Sequence, residues 1–516
     1  MIGRNILYIG TVFLTGVAVL ILEIAAIRLL SLQFGTSLTV ISSVITIVLL
    51  ALSLGYYIGG RLSDTYPDPK VLYGAIFCSG ITTLILTSAA YFVFQSSNIE
   101  LTLFSPLLSA FLIFFLPAFI LGLDSPFVIK LMTNGTPSEK HGSIVGTVFF
   151  WSTLGSIVGS LSIGFFLLPA VGLLNTFLYT GMGLTALGIF GASYFYIEQR
   201  TIPTRTVLLI TFFGAALSAG IFFGARSTLL FLDSELSILT RYDGLYSHII
   251  VRETEIAGRT VRLLHREANA SSAIFPGSSD IVFDYLRLLP EQMKIVDNPK
   301  SMLFLGGGAY TGPKVASRLF PEMEIEVVEI EPSLFSLAQE YFELPVDNKI
   351  KNHVADGRIF AEDTDRQFDI IYLDTHNSGH FLPPTLTTKE FFTTIKNRLS
   401  PNGILLINFI GTPTPKESAS VTGSFVTTLE SVFPNVTMYA MEPNTLHSRQ
   451  NIVFQTSNTL ARDDTFLNPA AEIFMSFGTT TPQEMLIEPQ TLTNEEDTIF
   501  YDNQSQMELL VGLGRW

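Results

Sequence analysis

Apolar residues fall into two regimes along this chain: long, nearly uncharged runs up to about residue 225, and short runs separated by polar turns after it. The long runs lie at 6–30, 38–60, 71–94, 103–127, 144–168, 173–197 and 206–225. Most reach the ~20 residues that a helix needs to cross a hydrocarbon core, so they predict an α-helical membrane bundle of seven spans. The first run is too long for a signal-peptide core and is followed by no convincing cleavage site, so it reads as a helix. Beyond 225 a polar linker leads to a strand-like run at 247–253, a turn at Ala257-Gly258 and a second strand-like run at 259–264. That pattern predicts a small β-hairpin subdomain. A helical stretch follows at 281–293. From 302 onward, strands at 302–305, 324–330, 368–373 and 403–409 alternate with helices near 313–320, 333–342 and 389–399. The alternation predicts a doubly wound, mostly parallel, Rossmann-like α/β sheet. The chain thus divides into a multi-span segment (1–225), a linker with hairpin (226–300), an α/β domain (301–455) and an acidic extension (456–516). The extension is irregular with apolar islands such as 471–475, and no chemistry is assigned to it.

Charge sharpens the division. Residues 1–225 carry 8 basic and 7 acidic side chains, and residues 226–516 carry 22 and 38, a formal charge of -16. An acidic soluble half argues against nucleic acid as a partner and against docking on anionic headgroups. The single cysteine, Cys78, excludes a disulfide framework and a Cys-based zinc site. Arg4, Arg61, Lys70, Lys130, Lys140, Arg200 and Arg205 lie in alternate connections between the spans. By the positive-inside rule this puts the N-terminus in the cytoplasm. Seven spans in a plasma (inner) membrane then put the soluble half on the outer face. The fifth run carries a ladder of small residues, Ser152, Ser156, Ser160 and Gly164, with Gly155 and Gly159 alongside, which favours close helix packing. Glu23 and Arg28 sit in the first run and Asp124-Ser125-Pro126 interrupts the fourth. Charge at membrane depth is costly, so Glu23 and Asp124 are functional candidates. Asp124 could equally cap a helix restarted at Pro126 or lie at an interface.

Ligands of doubly wound sheets bind at the carboxyl ends of the strands, and the informative residues are predicted there. The first strand ends in Gly306-Gly307-Gly308, where the lack of side chains lets backbone approach a ligand. The second ends in Glu329, 23 residues past Gly306, suited to accept the hydroxyls of a ribose. Asp356-Gly357 is placed to accept an adenine amine, and Asp374 closes the strand before it. His376 and His380 beside Asp374 lack a further ligand pattern, and no metal is assigned. The chain has no Gly-x-Ser-x-Gly elbow for Ser-His-Asp hydrolysis.

These strand ends resemble those of the spermidine synthase family, aminopropyltransferases with a methyltransferase-type fold, over roughly residues 240–455. The whole arrangement is similar to the fused multi-span form of that family, with 22–24, 59–64 and 151–159 fitting its membrane half. The resemblance implies that Glu329 of Glu329-Ile330-Glu331 holds ribose, Asp356-Gly357 holds adenine, and Asp374 is the catalytic base. It implies a weaker substrate-binding role for Tyr246 and for Asn377, which closes Asp374-Thr375-His376-Asn377. It also implies decarboxylated S-adenosylmethionine as donor, a small amine or polyamine as acceptor, and a loop closing over the pocket. Three departures concern the amines. Ala309 stands where the family has an aspartate for the aminopropyl ammonium, Asn377 replaces an acid, and Ser247 replaces the glutamine of a Tyr-Gln pair. Loss of an acid at 309 removes a repulsion toward the carboxylate of ordinary S-adenosylmethionine. A membrane-anchored transferase is therefore expected to compete with two alternatives: a non-catalytic nucleoside- or polyamine-binding transporter or sensor, and an S-adenosylmethionine-dependent methyltransferase. The sequence leaves the acceptor and a homo-oligomeric state open.

Overall fold

A computed structural model of the chain describes residues 2–34, 38–96, 104–199, 203–267, 269–346, 349–376, 381–414, 419–457, 485–487, 492–493, 496–502, 507 and 510. The chain divides into two units, Met1–Glu235 and Leu236–Trp516. The first is all helical: α1 (Ile2–Phe34), α2 (Leu38–Thr65), α3 (Pro69–Ser96), α4 (Ser105–Gly122), α5 (Asp124–Thr133), α6 (His141–Ser162), α7 (Leu168–Val171), α8 (Leu173–Gln199) and α9 (Thr204–Glu235). Among the described residues they form seven runs long and apolar enough to cross a membrane. The fourth run is α4 and α5, broken at Leu123, and the fifth joins α6 to α7 through a π turn at Ile163–Leu167. The seventh span, α9, continues past residue 225 to Glu235.

The small-residue ladder of the fifth span packs α6 on α1. A Cβ at Gly155 would lie 2.1 Å from the Phe13 carbonyl oxygen, and one at Gly159 would lie 2.4 Å from that of Val17. Only hydrogen fits such approaches. Ser156 Oγ donates to the Gly16 carbonyl at 3.3 Å across the same seam. Gly164 faces open space and takes no part in it.

The second unit begins with an antiparallel sheet in the order β1 (Ile238–Asp243), β2 (His248–Ile256), β3 (Arg259–Arg266), β4 (Asn269–Ile274). The expected hairpin is its β2–β3 core, with Ala257 and Gly258 both at positive φ in the turn. The outer strands escaped the pattern because Ile238–Asp243 and Asn269–Ile274 are short and mix polar with apolar residues without a clean period. Two short helices follow, α10 (Asp284–Arg287) and α11 (Leu289–Met293).

The α/β part then runs β5 (Ser301–Leu305), α12 (Thr311–Leu319), β6 (Glu324–Glu329), α13 (Ser333–Tyr341), β7 (Ile350–Val354), α14 (Gly357–Asp363), β8 (Phe368–Leu373), α15 (Lys389–Arg398), β9 (Leu399–Gly411), α16 (Val421–Glu430), β10 (Asn435–Ala440), β11 (Gln450–Ser457) and β12 (Leu486–Ile487). The sheet order is β12-β10-β11-β9-β8-β5-β6-β7. Strands β9-β8-β5-β6-β7 are parallel, whereas β11 adds antiparallel to β9, β10 antiparallel to β11 and β12 antiparallel to β10. Among the described residues the sheet is thus mostly parallel, as expected, with an antiparallel edge that makes it mixed. The central strands are buried on both faces, as Met302–Leu305 and Ile404–Phe409 illustrate.

The extension is more than an irregular tail. Asp497 Oδ1 accepts from Ser420 N at 2.8 Å, and Phe500 N donates to Thr428 Oγ1 at 2.9 Å, both on or next to α16. Arg358 Nη1 reaches Asp502 Oδ1 at 2.7 Å, which also accepts from Thr388 Oγ1 at 2.7 Å. Phe500, Met507 and Leu510 are buried in the cluster that holds Phe391, Phe392 and Phe425. A buried Phe contributes about 1.5–3 kcal/mol, so the segment adds to the domain core. Residues 471–475 lie outside the described residues.

Candidate functional site

The parallel strands deliver their carboxyl ends to one edge in the order Asp374 (β8), Gly306–Gly308 (β5), Glu329 (β6), Asp356 (β7). Register fixes this placement. Gly306 N donates to Val328 O at 2.9 Å, Asp374 N to Leu305 O at 2.9 Å, and Ala355 N to Glu329 O at 3.2 Å.

The glycines have geometric reasons. Gly306 sits at φ +99°, and a Cβ there would lie 2.3 Å from the Asp374 carbonyl oxygen. Gly308 sits at φ +51°, and its Cβ would meet Ser272 Oγ at 2.6 Å. That hydroxyl accepts from Ala309 N at 3.0 Å, tying β4 to the loop. Tyr310 also takes a left-handed conformation, at φ +58°. Its hydroxyl hydrogen-bonds Asn352 Oδ1, and its ring meets Phe335 edge-on at 5.3 Å.

A cleft of about 140 Å³ opens beside the glycines. Gly306–Gly308, Thr311 and Gly312 line one side; Asp374, His376, Asn408 and Asn451 line another; Arg266, Asn269, Ser272 and Tyr285 complete it. Asn408 Nδ2 donates to Asp374 Oδ1 at 2.9 Å, and Asn451 Nδ2 donates to Asn408 Oδ1 at 2.8 Å. His376 Nδ1 stands 3.4 Å from the same carboxylate oxygen. Burial pushes the Tyr285 hydroxyl well above its ordinary range, and the Asp374 charge and a hydrogen bond to it push the same way. Burial, then Asp374, does the same to Tyr372. Both phenols therefore remain O–H donors beside an acid. Three buried polar atoms around Asp374 have no hydrogen-bond partner among the described residues: Tyr372 Oη, Thr375 Oγ1 and His376 Nε2. Orphaned polar atoms at such density mark a place for a polar ligand or ordered water.

Glu329 and Asp356 share the edge but do not line this cleft. Glu329 is buried. Its Oε2 accepts from Gly307 N at 2.9 Å and Gly308 N at 3.3 Å, and its Oε1 accepts from Glu331 N at 3.0 Å. Asp356 Oδ1 caps α14, accepting from Arg358 N at 2.8 Å and Ile359 N at 3.2 Å, with Gly357 as the first helical residue. Each carboxylate keeps acceptor capacity beyond these bonds, since two oxygens offer about four lone-pair sites. Glu331 Oε2 accepts from Tyr246 N at 2.9 Å, which brings the antiparallel sheet to the β6 end.

Residues 287–462 match the model of a family described as Spermine/spermidine synthase domain. The C-terminal half carries a spermine/spermidine synthase domain. The chain is similar to a polyamine aminopropyltransferase of Vibrio vulnificus, 29% identical over 140 residues, which cover 27% of this chain and 46% of that protein. It is similar to a probable polyamine aminopropyl transferase of Bifidobacterium longum, 28% identical over 232 residues, which cover 42% and 50%. Among solved structures it is similar to a probable spermidine synthase from Corynebacterium glutamicum at 23% identity and TM-score 0.40, covering 47% of this chain and 88% of that one. The chain spans about half the length of the curated relatives it matches.

Within the synthase domain the three departures fall differently. Ala309 is 1% exposed and belongs to the apolar cluster, not to the cleft lining. Ser247 is buried, with no partner for its Oγ among the described residues, and Tyr246 is half exposed. Asn377 lies outside the described residues, as does His380. Among the described residues no cluster of three or more His, Cys, Asp or Glu could hold a metal ion. Sequence reasoning missed Asn408, Tyr285, Ser272 and Arg266. Asn408 had a signal, as a polar residue inside the apolar run 404–410. The others reach the cleft from elements whose approach to β5 no local pattern encodes.

Proposed function

We propose that the C-terminal unit is a membrane-anchored group transferase that binds an adenosyl sulfonium donor at the glycine-rich edge and transfers a carbon group to an amine. The observation that carries this reading is Asp374: an acid at the cleft, oriented by Asn408, beside three orphaned polar atoms and a glycine turn. Glu329 and Asp356 lie further along the edge, where a ribose and an adenine would extend. Attack by an amine nitrogen forms a C–N bond as the C–S⁺ bond breaks, and the electron pair stays on sulfur as a neutral thioether. The proton lost by nitrogen goes to the Asp374 carboxylate. A positioned base of this kind contributes about 10²–10⁴-fold. Asn408 and Tyr285 keep the carboxylate aimed, and Tyr372 offers its O–H to the ligand. Product analysis with decarboxylated and ordinary S-adenosylmethionine against a panel of polyamines tests it. Turnover by the wild type that Asp374→Asn abolishes is the expected result; binding without turnover from either donor would instead leave a nucleoside- or polyamine-binding sensor or transporter.

One observation favours methyl transfer from ordinary S-adenosylmethionine as a second reading. Arg266 lines the cleft, and no ion pair of it is found among the described residues. A guanidinium there suits a ligand that keeps its carboxylate and repels a polyamine. From the loop charges we infer a cytoplasmic N-terminus and an outer-face position for the second unit. A topology reporter fused at Trp516 tests that assignment, and an external signal would require a donor supplied from outside.

A further inference from the structure

The helical unit contains an acid that the transferase reading does not use. Asp124 begins α5 at the break in the fourth span, is 1% exposed, and has no hydrogen-bond partner for either carboxylate oxygen among the described residues. Asp124 stands in the first turn of α5, where no side-chain cap bond is made. The backbone of α2 presses on the break: a Cβ at Gly59 would lie 2.8 Å from Leu123 Cα. Thr15 of α1 lies against the carboxylate and is its nearest hydroxyl donor, although it also approaches the Val12 carbonyl at 3.3 Å. The titratable groups that sense the Asp124 charge are Tyr56 on α2 and Tyr73 on α3, and Tyr73 Oη is paired with Thr11 at 2.9 Å. No basic side chain pairs with Asp124 among the described residues. The described ion pairs of this unit join Arg4 to Glu198, Lys70 to Asp68 and Lys130 to Asp64.

Two cavities lie in the same unit, though Asp124 itself lines neither. One, of about 370 Å³, is lined by Tyr56, Ser63, Asp64, Ser125 and Lys130. It reaches the residue next to Asp124 and is edged by the exposed Lys130–Asp64 pair at 2.6 Å. A smaller one is lined by Glu23, Thr83 and Thr87, and Thr83 Oγ1 there is also buried without a partner. Thr15 and Glu23 stand on the same helix about 12 Å apart at 1.5 Å per residue. An acid held in an apolar bundle with one hydroxyl beside it and, among the described residues, no counter-charge is too costly to persist as a bare anion, so a cation is expected to accompany it. Carboxylate and hydroxyl oxygens are hard ligands that suit a proton or a small monovalent ion.

We propose that Asp124 is the binding site of a small monovalent cation, a proton or an alkali metal ion, in the membrane unit. Two measurements on the full chain in detergent, wild type against Asp124→Asn, test it. If the occupant is a proton, infrared difference spectra show the carbonyl stretch of a protonated carboxylic acid, and the variant loses it. If it is a metal ion, added sodium or potassium raises the thermal midpoint of the wild type and not of the variant. Asn is nearly isosteric and neutral, and a monodisperse elution profile confirms that the variant folds. A folded variant that matches the wild type in both measurements would overturn the proposal. If the variant aggregates, Asp124→Ser with the same two readouts decides it.

Discussion

The bond from Asn408 to Asp374 gives the sharpest test of the site. Asn408 is 2% exposed, and its amide bridges Asn451 to the carboxylate over 2.8 and 2.9 Å. Asn408→Ala removes a hydrogen bond to a charged acceptor, worth about 1.5–3 kcal/mol. Asn451 is only half buried, so its freed amide can turn to water and adds little. Asp374 keeps its Tyr285 contact, so the loss falls on orientation rather than on the existence of the base. If that orientation matters only in the transition state, kcat falls by ~10–150-fold at 1.36 kcal/mol per decade. Binding of methylthioadenosine, read by calorimetry, stays within about threefold, well under that 1.36 kcal/mol decade. Asn408→Asp gives an independent check, since it sets a second carboxylate beside the first. Like charges disfavour ionisation, so Asp374 holds its proton to higher pH. The acid limb of the kcat profile then moves upward by a unit or more, about the size of a near-contact like-charge shift. Unchanged kcat in the alanine variant together with an unmoved acid limb in the aspartate variant would refute the assignment of Asp374 as the base.

Other consequences follow from the same geometry. Gly308→Ala combines a left-handed conformation, about 1–2 kcal/mol, with a clash against Ser272 Oγ; ligand affinity should fall at least tenfold, and adding Ser272→Ala should restore part of it by removing the clash. Arg266→Glu should weaken ordinary S-adenosylmethionine more than its decarboxylated form under the methyltransferase reading, while equal effects in paired titrations would count against a carboxylate contact. The hydrogen bond from Arg358 holds Asp502 below the ordinary carboxylate range. Its contribution is thus present above pH ~4 and fades as the pH falls through the lowered value; because Asp502 is well exposed the effect on overall stability is small, but proteolysis within 496–510 should accelerate in acid, and at neutral pH in Asp502→Asn. Gly155→Val drives a side chain to within 2.1 Å of the Phe13 carbonyl, so α1 and α6 must separate, and a lowered midpoint in detergent or a loss of folded yield checks it.

The parts of this protein that rest on local periodicity were legible in the sequence. Uninterrupted apolar length marked the spans, and the alternation from Met302 to Phe409 marked the parallel strands whose ends carry Gly306, Glu329, Asp356 and Asp374. What pairs across distance was not legible. Strand β11 reverses direction against β9, and β10 and β12 follow it outward, through pairings that no local signal announces. Ser272 meets the glycine loop across 37 residues and Asp502 meets Arg358 across 144. Asp124 shows the same limit from the other side: its position could be flagged, but its missing partners become visible only when α1, α2 and α3 surround it.

The bond from Ser420 N to Asp497 at the start of α16, and the grip of Asp502 on α14 and α15, bear on how the second unit can be isolated. A fragment cut where the family match ends, at residue 462, would omit Phe500, Met507 and Leu510 and leave the aromatic face of Phe391 and Phe425 open to solvent. Such a fragment should misassemble when expressed, so the minimal soluble piece extends at least through residue 510 even though its recognisable motifs stop far earlier.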